Sequence, residues 1–307
     1  MASVYVFPSS GELRLRGGDR VRFLQGMLTA DVAKLAPGEG CPAAMLTPKG
    51  KLIGAMLVLC SDGFLDIVLD AGARTAVHAS LEHHLIADDV VIEDRSAQLA
   101  TIVLFGEDAA ALIAGALGTA PSVDWSFVVE DELRVMRARE LATPSFHITL
   151  PAARLAETLD WLSELGAATV DEDTWEVLRV EAGTPRWGLD MDGERMPVEA
   201  RLDDALSHTK GCYVGQETVV RLRDQGKANW RLMGLRLEGK EPALAGSRLV
   251  TAERPDAGTV TSSVVSPRFG VIALAYVHRS AMAPGTIVKV VEHGRERSAT
   301  VSELPFA

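Results

Sequence analysis

The sequence predicts an α+β fold that ends in a small β-barrel. Three observations predict it. Strand-like and helix-like periodicities follow one another twice along the first two thirds of the chain. A turn-rich pentapeptide, Thr47–Pro48–Lys49–Gly50–Lys51, lies between two apolar runs. After about Leu235, short apolar runs are separated by Gly, Pro and Ser.

Glu12–Leu13–Arg14–Leu15–Arg16 alternates polar and apolar residues, the pattern of a half-buried strand. Gly17–Gly18 ends it, and Asp19 is placed to cap a helix from Arg20 to about Gln25. Ala43–Met45 and Leu52–Cys60 then form a hairpin around the 47–51 turn, with Phe64–Leu69 as a third strand. Ala73–Ala87 carries Val77, Leu81 and Leu85 at helical spacing, and Val90–Ile92 returns to strand. A second set follows: strand Leu99–Phe105, helix Asp108–Leu117, strands Leu133–Arg139 and Ser145–Leu150, and an amphipathic helix Ala153–Leu165. Asp171–Glu172–Asp173–Thr174 opens one more helix, because carboxylates favour the positive end of the helix dipole. Gly183 and Pro185 stop it. The implied domains are 1–234, divided near residue 98, and a barrel over 235–307.

The 307 residues carry 31 Lys plus Arg against 42 Asp plus Glu, a net charge of −11. That balance disfavours broad nucleic-acid coating. No uncharged apolar stretch approaches the roughly 20 residues of a membrane span, and residues 1–18 do not read as a secretory signal. Three widely spaced cysteines, Cys41, Cys60 and Cys212, argue against a disulfide framework or a metal site and fit a reducing cytoplasm.

Two strings stand out. In Lys210–Gly–Cys–Tyr–Val–Gly–Gln–Glu217, Gly215 reads as a hinge into a short helix running to about Leu222. If the residues before it are extended, Lys210 and Cys212 share a face. A cation and a helix N-terminus would then favour the thiolate. The competing reading, a small buried residue beside a helix cap, has the stronger support from spacing alone. In Trp175–Glu–Val–Leu–Arg–Val–Glu–Ala–Gly183, Glu181 projects over Val177 and Leu178. A carboxylate there needs donors, either the paired N–H groups of a heterocycle or an arginine such as Arg179 or Arg186. Trp175 suits a flat ring or an apolar helix face. Residues 207–236 hold six cations (210, 221, 223, 227, 231, 236) against two acids, enough to focus potential on an anionic ligand tail.

The 210–217 run resembles the signature of the YgfZ family of folate-binding proteins, relatives of the glycine-cleavage T-protein. Weaker similarities extend it over almost the whole chain: Phe23–Leu–Gln–Gly26, Thr29–Ala–Asp–Val32, Arg179–Pro185, Pro197–Val–Glu199, Gly258–Ser262 and Ala273–Val277. The resemblance implies a ring of domains around a central tetrahydrofolate, with Glu181 meeting the pterin and Trp175 its ring. Arg179, Tyr213, Gln216, Glu217 and Arg221 complete the candidate binding set. Cys212 is the candidate functional thiol and Lys210 its cation. The implied role is support of iron–sulfur protein maturation or repair and, through it, tRNA modification, with reduced folate and iron–sulfur proteins as partners. The alternative is folate-dependent aminomethyl transfer. T-proteins carry an Asp pair just after the first hairpin turn, and here that stretch reads Leu52–Ile53–Gly54–Ala55. A missing proton handler, usually a factor of roughly 10²–10⁴ in rate, weighs against the alternative.

Overall fold

The structure is a computed structural model and describes residues 1–225 and 228–307. The chain divides into two compact units. Met1–Glu172 with Asp204–Gln216 forms the first, and Asp173–Asp203 with Glu217–Ala307 the second.

Unit one contains β1 (Ser3–Val6), β2 (Ser10–Arg16), α1 (Arg20–Met27), β3 (Gly40–Leu46), β4 (Leu52–Ser61), β5 (Phe64–Asp70), α2 (Ala71–His84), β6 (Val91–Asp94), β7 (Leu99–Phe105), α3 (Ala109–Leu117), β8 (Phe127–Glu130), β9 (Leu133–Ala138), β10 (Ser145–Pro151), α4 (Leu155–Glu164) and β11 (Ala168–Thr169). They build two sheets, of order β3-β4-β5-β2-β6 and β11-β1-β7-β10-β9-β8. Apart from β1, which pairs antiparallel with β7, the strands of the first sheet all precede β7 and those of the second follow β6. The expected hairpin is β3–β4, whose turn is closed by Thr47 N–H to Lys51 O and Gly50 N–H to Thr47 O.

Helix α2 lies on the first sheet through Ala73, Val77 and Leu81, all fully buried. In β4 the alternate residues Leu52, Gly54, Met56 and Val58 are buried. A Cβ at Gly54 would stand 2.5 Å from Val77 Cγ2, so the glycine sets how closely α2 approaches the strand. The second sheet packs Ile102, Leu104, Phe146 and Ile148 against Ile113 of α3 and Leu162 of α4.

Two expectations for this unit need correction. Of the polar residues alternating along β2, Arg16 is exposed, but Glu12 and Arg14 do not face solvent. Glu12 and Asp66 of the first sheet are buried against Arg134 of β9, at 2.5 and 2.9 Å, and Asp66 also accepts from Arg14 at 2.7 Å. A polar alternation marks a wet face only when nothing covers it. Asp19 flanks α1 but gives no side-chain cap. Its carboxylate instead accepts from Arg22 and from the backbone N–H of Asp89, and the Asp89 bond, with lesser help from Arg22, holds its pKa below the ordinary aspartate value despite some desolvation.

Helix α5 (Glu172–Ala182) opens on the last residue of unit one, and α6 (Gln216–Gln225) likewise begins where unit one ends. Unit two continues with β12 (Trp230–Leu237), β13 (Arg248–Val250), β14 (Gly258–Ser266), β15 (Gly270–His278), β16 (Ile287–Glu292) and β17 (Arg295–Ser302). These six strands close into a barrel of order β12-β15-β14-β13-β16-β17. Its interior is filled by small and branched residues such as Leu235, Leu249, Val260, Ala275, Val288 and Val301. Val180 of α5 packs with Leu232, Ile272, Leu274, Leu304 and Phe306 in a second cluster.

Gly234, near which the sequence places the start of the barrel, lies inside β12, paired with Leu274 and Ser302. It reads as punctuation in the sequence, but its role is steric: a Cβ there would meet the Phe306 ring at 2.7 Å. Gly183 does end α5 as expected. Its φ is 75°, and the N–H groups of Gly183 and Thr184 cap the carbonyls of Val180 and Arg179.

Candidate functional site

In unit one the 210–215 run is built onto the end of α1 and the β3–β4 turn. Helix α1 stops at Leu28, which leaves carbonyls without helical partners. Lys210 supplies the missing donors. Its Nζ lies 2.6 Å from Gln25 O, 2.6 Å from Leu28 O and 2.8 Å from Ala30 O. A cation at a helix C-terminus also complements the dipole. Burial pulls the Lys210 pKa down to about 8, against the opposing fields of Asp31 and Cys41. Ser207 N–H donates to Thr29 O, and Thr29 Oγ1 donates to Ala205 O, which fastens the approach to the run. At its far end Gly215 adopts φ 82°, and a Cβ there would meet Thr47 O at 2.6 Å.

This geometry corrects the expected pairing of Lys210 with Cys212. Bends at 208–210 break the extended alternation on which the shared face depended. Lys210 is 9% exposed, whereas Cys212 is exposed to solvent. The lysine acts as the cation of a helix end, and its field falls on half-buried Cys41, whose thiol burial pushes up to about 11. Tyr213 is buried, with its ring centroid 5.2 Å from Lys210 Nζ. Gln216 opens α6 and donates its backbone N–H to Tyr213 O.

In unit two, α5 carries the other candidates. Trp175 is buried. Glu181, 5% exposed, sits in the last turn. Its Oε1 accepts from Ser266 Oγ at 2.5 Å and its Oε2 faces Arg268 Nη1 at 3.4 Å. Neither Arg179 nor Arg186 is its partner. Arg179, 2% exposed, spends all five N–H groups elsewhere: on Glu176, on Thr184 O, on Asp190 at 2.7 Å and on Ser262 Oγ. Burial alone would lower its pKa, but the bond to Glu176 and the fields of Asp190 and Glu176 hold it above the ordinary arginine value. With every donor spent inside the protein, Arg179 holds α5 to its surroundings and, contrary to the expectation from the resemblance, has none left for a ligand. Glu217 and Arg221 pair with each other at 2.8 Å on an exposed face of α6. Of the cations expected to concentrate over 207–236, Lys227 and the side chain of Arg223 lie outside the described residues.

The partners Ser266 and Arg268 were invisible to sequence reasoning. They lie 85 and 87 residues from Glu181, and only closure of the barrel brings them there. A Ser–Pro–Arg turn between two strands carries no signal of its own.

A mixed α/β chain with two sheets and a closed six-stranded C-terminal barrel defines a known class of fold. A solved structure, the glycine cleavage system aminomethyltransferase T from Bartonella henselae, superposes with a TM-score of 0.89 at 24% identity, over all of this chain and 86% of that one. The profile of the GCVT N-terminal domain matches residues 3–210, and that of the glycine cleavage T-protein C-terminal barrel domain matches residues 231–307. The chain belongs to the glycine-cleavage T-protein family. An aminomethyltransferase of Rubrobacter xylanophilus is 33% identical over 90% of this chain and 76% of its own length. One of Herpetosiphon aurantiacus is 29% identical over 94% and 82%. A putative chloroplast transferase of Arabidopsis thaliana is 28% identical over 96% and 69%. No helix among the described residues is long and apolar enough to cross a membrane.

The stretch after the first hairpin turn, where the T-protein resemblance leads one to expect an acid pair, reads Leu52–Ile53–Gly54–Ala55, and the packing leaves little room for a side chain at Gly54. The β-branched Val77 on a packed helix has no room to retreat from a side chain at Gly54. Gly54→Asp should lose roughly 1–3 kcal/mol of unfolding free energy from overpacking alone. Ala55→Asp, on the opposite and half-buried face of β4, should lose less. Urea titrations of both variants check this ordering.

Proposed function

We propose that this protein binds a reduced folate, tetrahydrofolate or a close relative, with Glu181 receiving the pterin N–H groups and Trp175 contributing to its ring site. The observation that carries this reading is the Glu181 carboxylate itself. It is nearly buried, has one firm donor in Ser266 and one distant donor in Arg268, and so keeps acceptor capacity for two further N–H groups. Membership in a family whose relatives bear the name aminomethyltransferase supports the folate, and it supports one-carbon transfer as the activity. The chain's own residues would bind and orient the folate. Tetrahydrofolate, when bound, would supply the amine that accepts the one-carbon unit.

A second reading is favoured by two observations, the absence of a carboxylate at Gly54 and Ala55 and the exposed thiol of Cys212. In it, the folate-loaded protein supports iron–sulfur proteins in a cytoplasmic setting, and through them tRNA modification, without ordinary aminomethyl transfer. Calorimetry tests the shared claim. Wild type should bind tetrahydrofolate, and Glu181→Ala should bind roughly 10- to 100-fold more weakly, the worth of a charge-assisted hydrogen-bond pair. Equal affinity in the two proteins would refute the role of Glu181. Turnover with tetrahydrofolate and an aminomethylated lipoyl carrier protein separates the readings: transfer supports the first, and binding without transfer the second.

A further inference from the structure

Unit one carries a surface cavity of about 330 Å³ between the last turn of α3, the tip of the β8–β9 hairpin and the start of α4. That volume suits a small ligand. Its apolar walls are Leu117 of α3, Leu133 of β9 and the half-buried ring of Trp161 on α4. The exposed carboxylates of Glu130, Asp131 and Glu157 complete it, with Arg154 as the one cation among the lining residues. Arg154 is already engaged. Its Nη1 donates to Asp131 O at 2.6 Å and lies 3.3 Å from Asp131 Oδ2, so it fixes the hairpin tip and answers that carboxylate. Glu130 and Glu157 pair with no cation among the described residues. Helix α3 adds to the imbalance. It ends at Gly118, with φ 74° and no basic residue in its last turn, so the negative end of its dipole has no side-chain cation to complement it.

Each wall of this hollow favours a different part of one kind of ligand. An anion would be repelled by the two carboxylates and the helix end. A neutral apolar molecule would use only Leu117, Leu133 and Trp161. A cation on an aliphatic stem uses all of them, because an ammonium gains from carboxylates and from an aromatic ring together, while its methylenes leave water against the apolar walls. We propose that this cavity binds a linear aliphatic amine, its ammonium meeting the carboxylates of Glu130 and Glu157 and its carbon stem lying against Trp161, Leu117 and Leu133. The site lies wholly in unit one and does not depend on the folate reading, whose carboxylate belongs to unit two. Binding involves no covalent step, and the amine stays protonated.

The probe is n-hexylammonium, compared with n-hexanol and hexanoate, which keep the stem and change the charge. An NMR titration of the full-length protein follows the indole N–H of Trp161, one of five tryptophans, assigned by its loss in Trp161→Phe. Hexylammonium should shift that signal saturably and bind at least about tenfold more tightly than either control. The double variant Glu130→Gln/Glu157→Gln should weaken it about tenfold and flatten its salt dependence, with the rest of the spectrum unchanged. Glu132→Gln, on the same hairpin tip but outside the cavity, should leave the affinity as it was. Equal affinity for hexanol would reduce the cavity to an apolar dent. Equal weakening by Glu132→Gln would make the attraction a general one of an acidic surface. Either result overturns the proposal, as does a Trp161 signal that hexylammonium leaves in place.

Discussion

Arg179→Met is expected to lose roughly 3–5 kcal/mol of unfolding free energy, the cost of removing one partner from a buried ion pair. The side chain of Asp190 is fully buried and accepts from Arg179, from the backbone N–H of Arg186, and from Thr261 and Ser262. Without the guanidinium it would keep neutral donors but no countercharge. Glu176 would retain Arg186 at 2.8 Å and suffer less. The network joins α5, the loop after it and β14, so its loss also loosens the helix that carries Glu181 and Trp175. Guanidinium titration measures the loss, and the double variant Arg179→Met/Asp190→Asn separates its cause. Recovery of a large part of the stability in the double variant identifies the stranded carboxylate. An additive further loss would show instead that the hydrogen-bond network as a whole was the stabilising element.

Most of the fold was legible because it rests on local patterns. Alternation, helical spacing and turn chemistry each act over fewer than about fifteen residues, and they located the β3–β4 hairpin, α2, α3, α4 and four of the six barrel strands, missing β13 and β17. What failed did so where a residue's environment is set by distant chain. Glu12 and Arg14 read as a wet strand face until β9 covers them. Gly234 read as a break although an aromatic ring 72 residues later demands it. The site divides the same way. The 210–217 string is recognisable by its composition, and Gly215 by its hinge, but nothing in the spacing shows that Lys210 turns toward the end of α1. Likewise Glu181 is identifiable as a carboxylate in want of donors, whereas Ser266 and Arg268 are known only once β14 and β15 are paired. Local patterns find the groups that need partners, and only topology names the partners.

Lys210→Met is expected to lose roughly 2–4 kcal/mol and to leave the solvent-facing thiol almost untouched. Each of the three carbonyls now receives a charge-assisted bond, and such bonds contribute about 1.5–3 kcal/mol apiece when water cannot replace them. Gln25 and Leu28 belong to the end of α1, and water recovers part of the deficit there, which sets the lower figure. Lys210→Arg should not rescue fully, because a planar fork cannot aim at three converging oxygens as a tetrahedral ammonium does. Cys212→Ser, at an exposed position, should change stability by less than about 0.5 kcal/mol. Thiol labelling distinguishes the two roles that a lysine in this string can have. If Lys210 holds the helix end, Lys210→Met should leave the labelling rate of Cys212 within about twofold and speed that of half-buried Cys41, as the structure around the lysine loosens. If Lys210 instead activates the neighbouring thiol, the Cys212 rate should fall tenfold or more at neutral pH while Cys41 stays protected. The three short contacts to backbone oxygens favour the first outcome, since an ammonium whose hydrogens are all committed inward has no directed bond left for a sulfur two residues away.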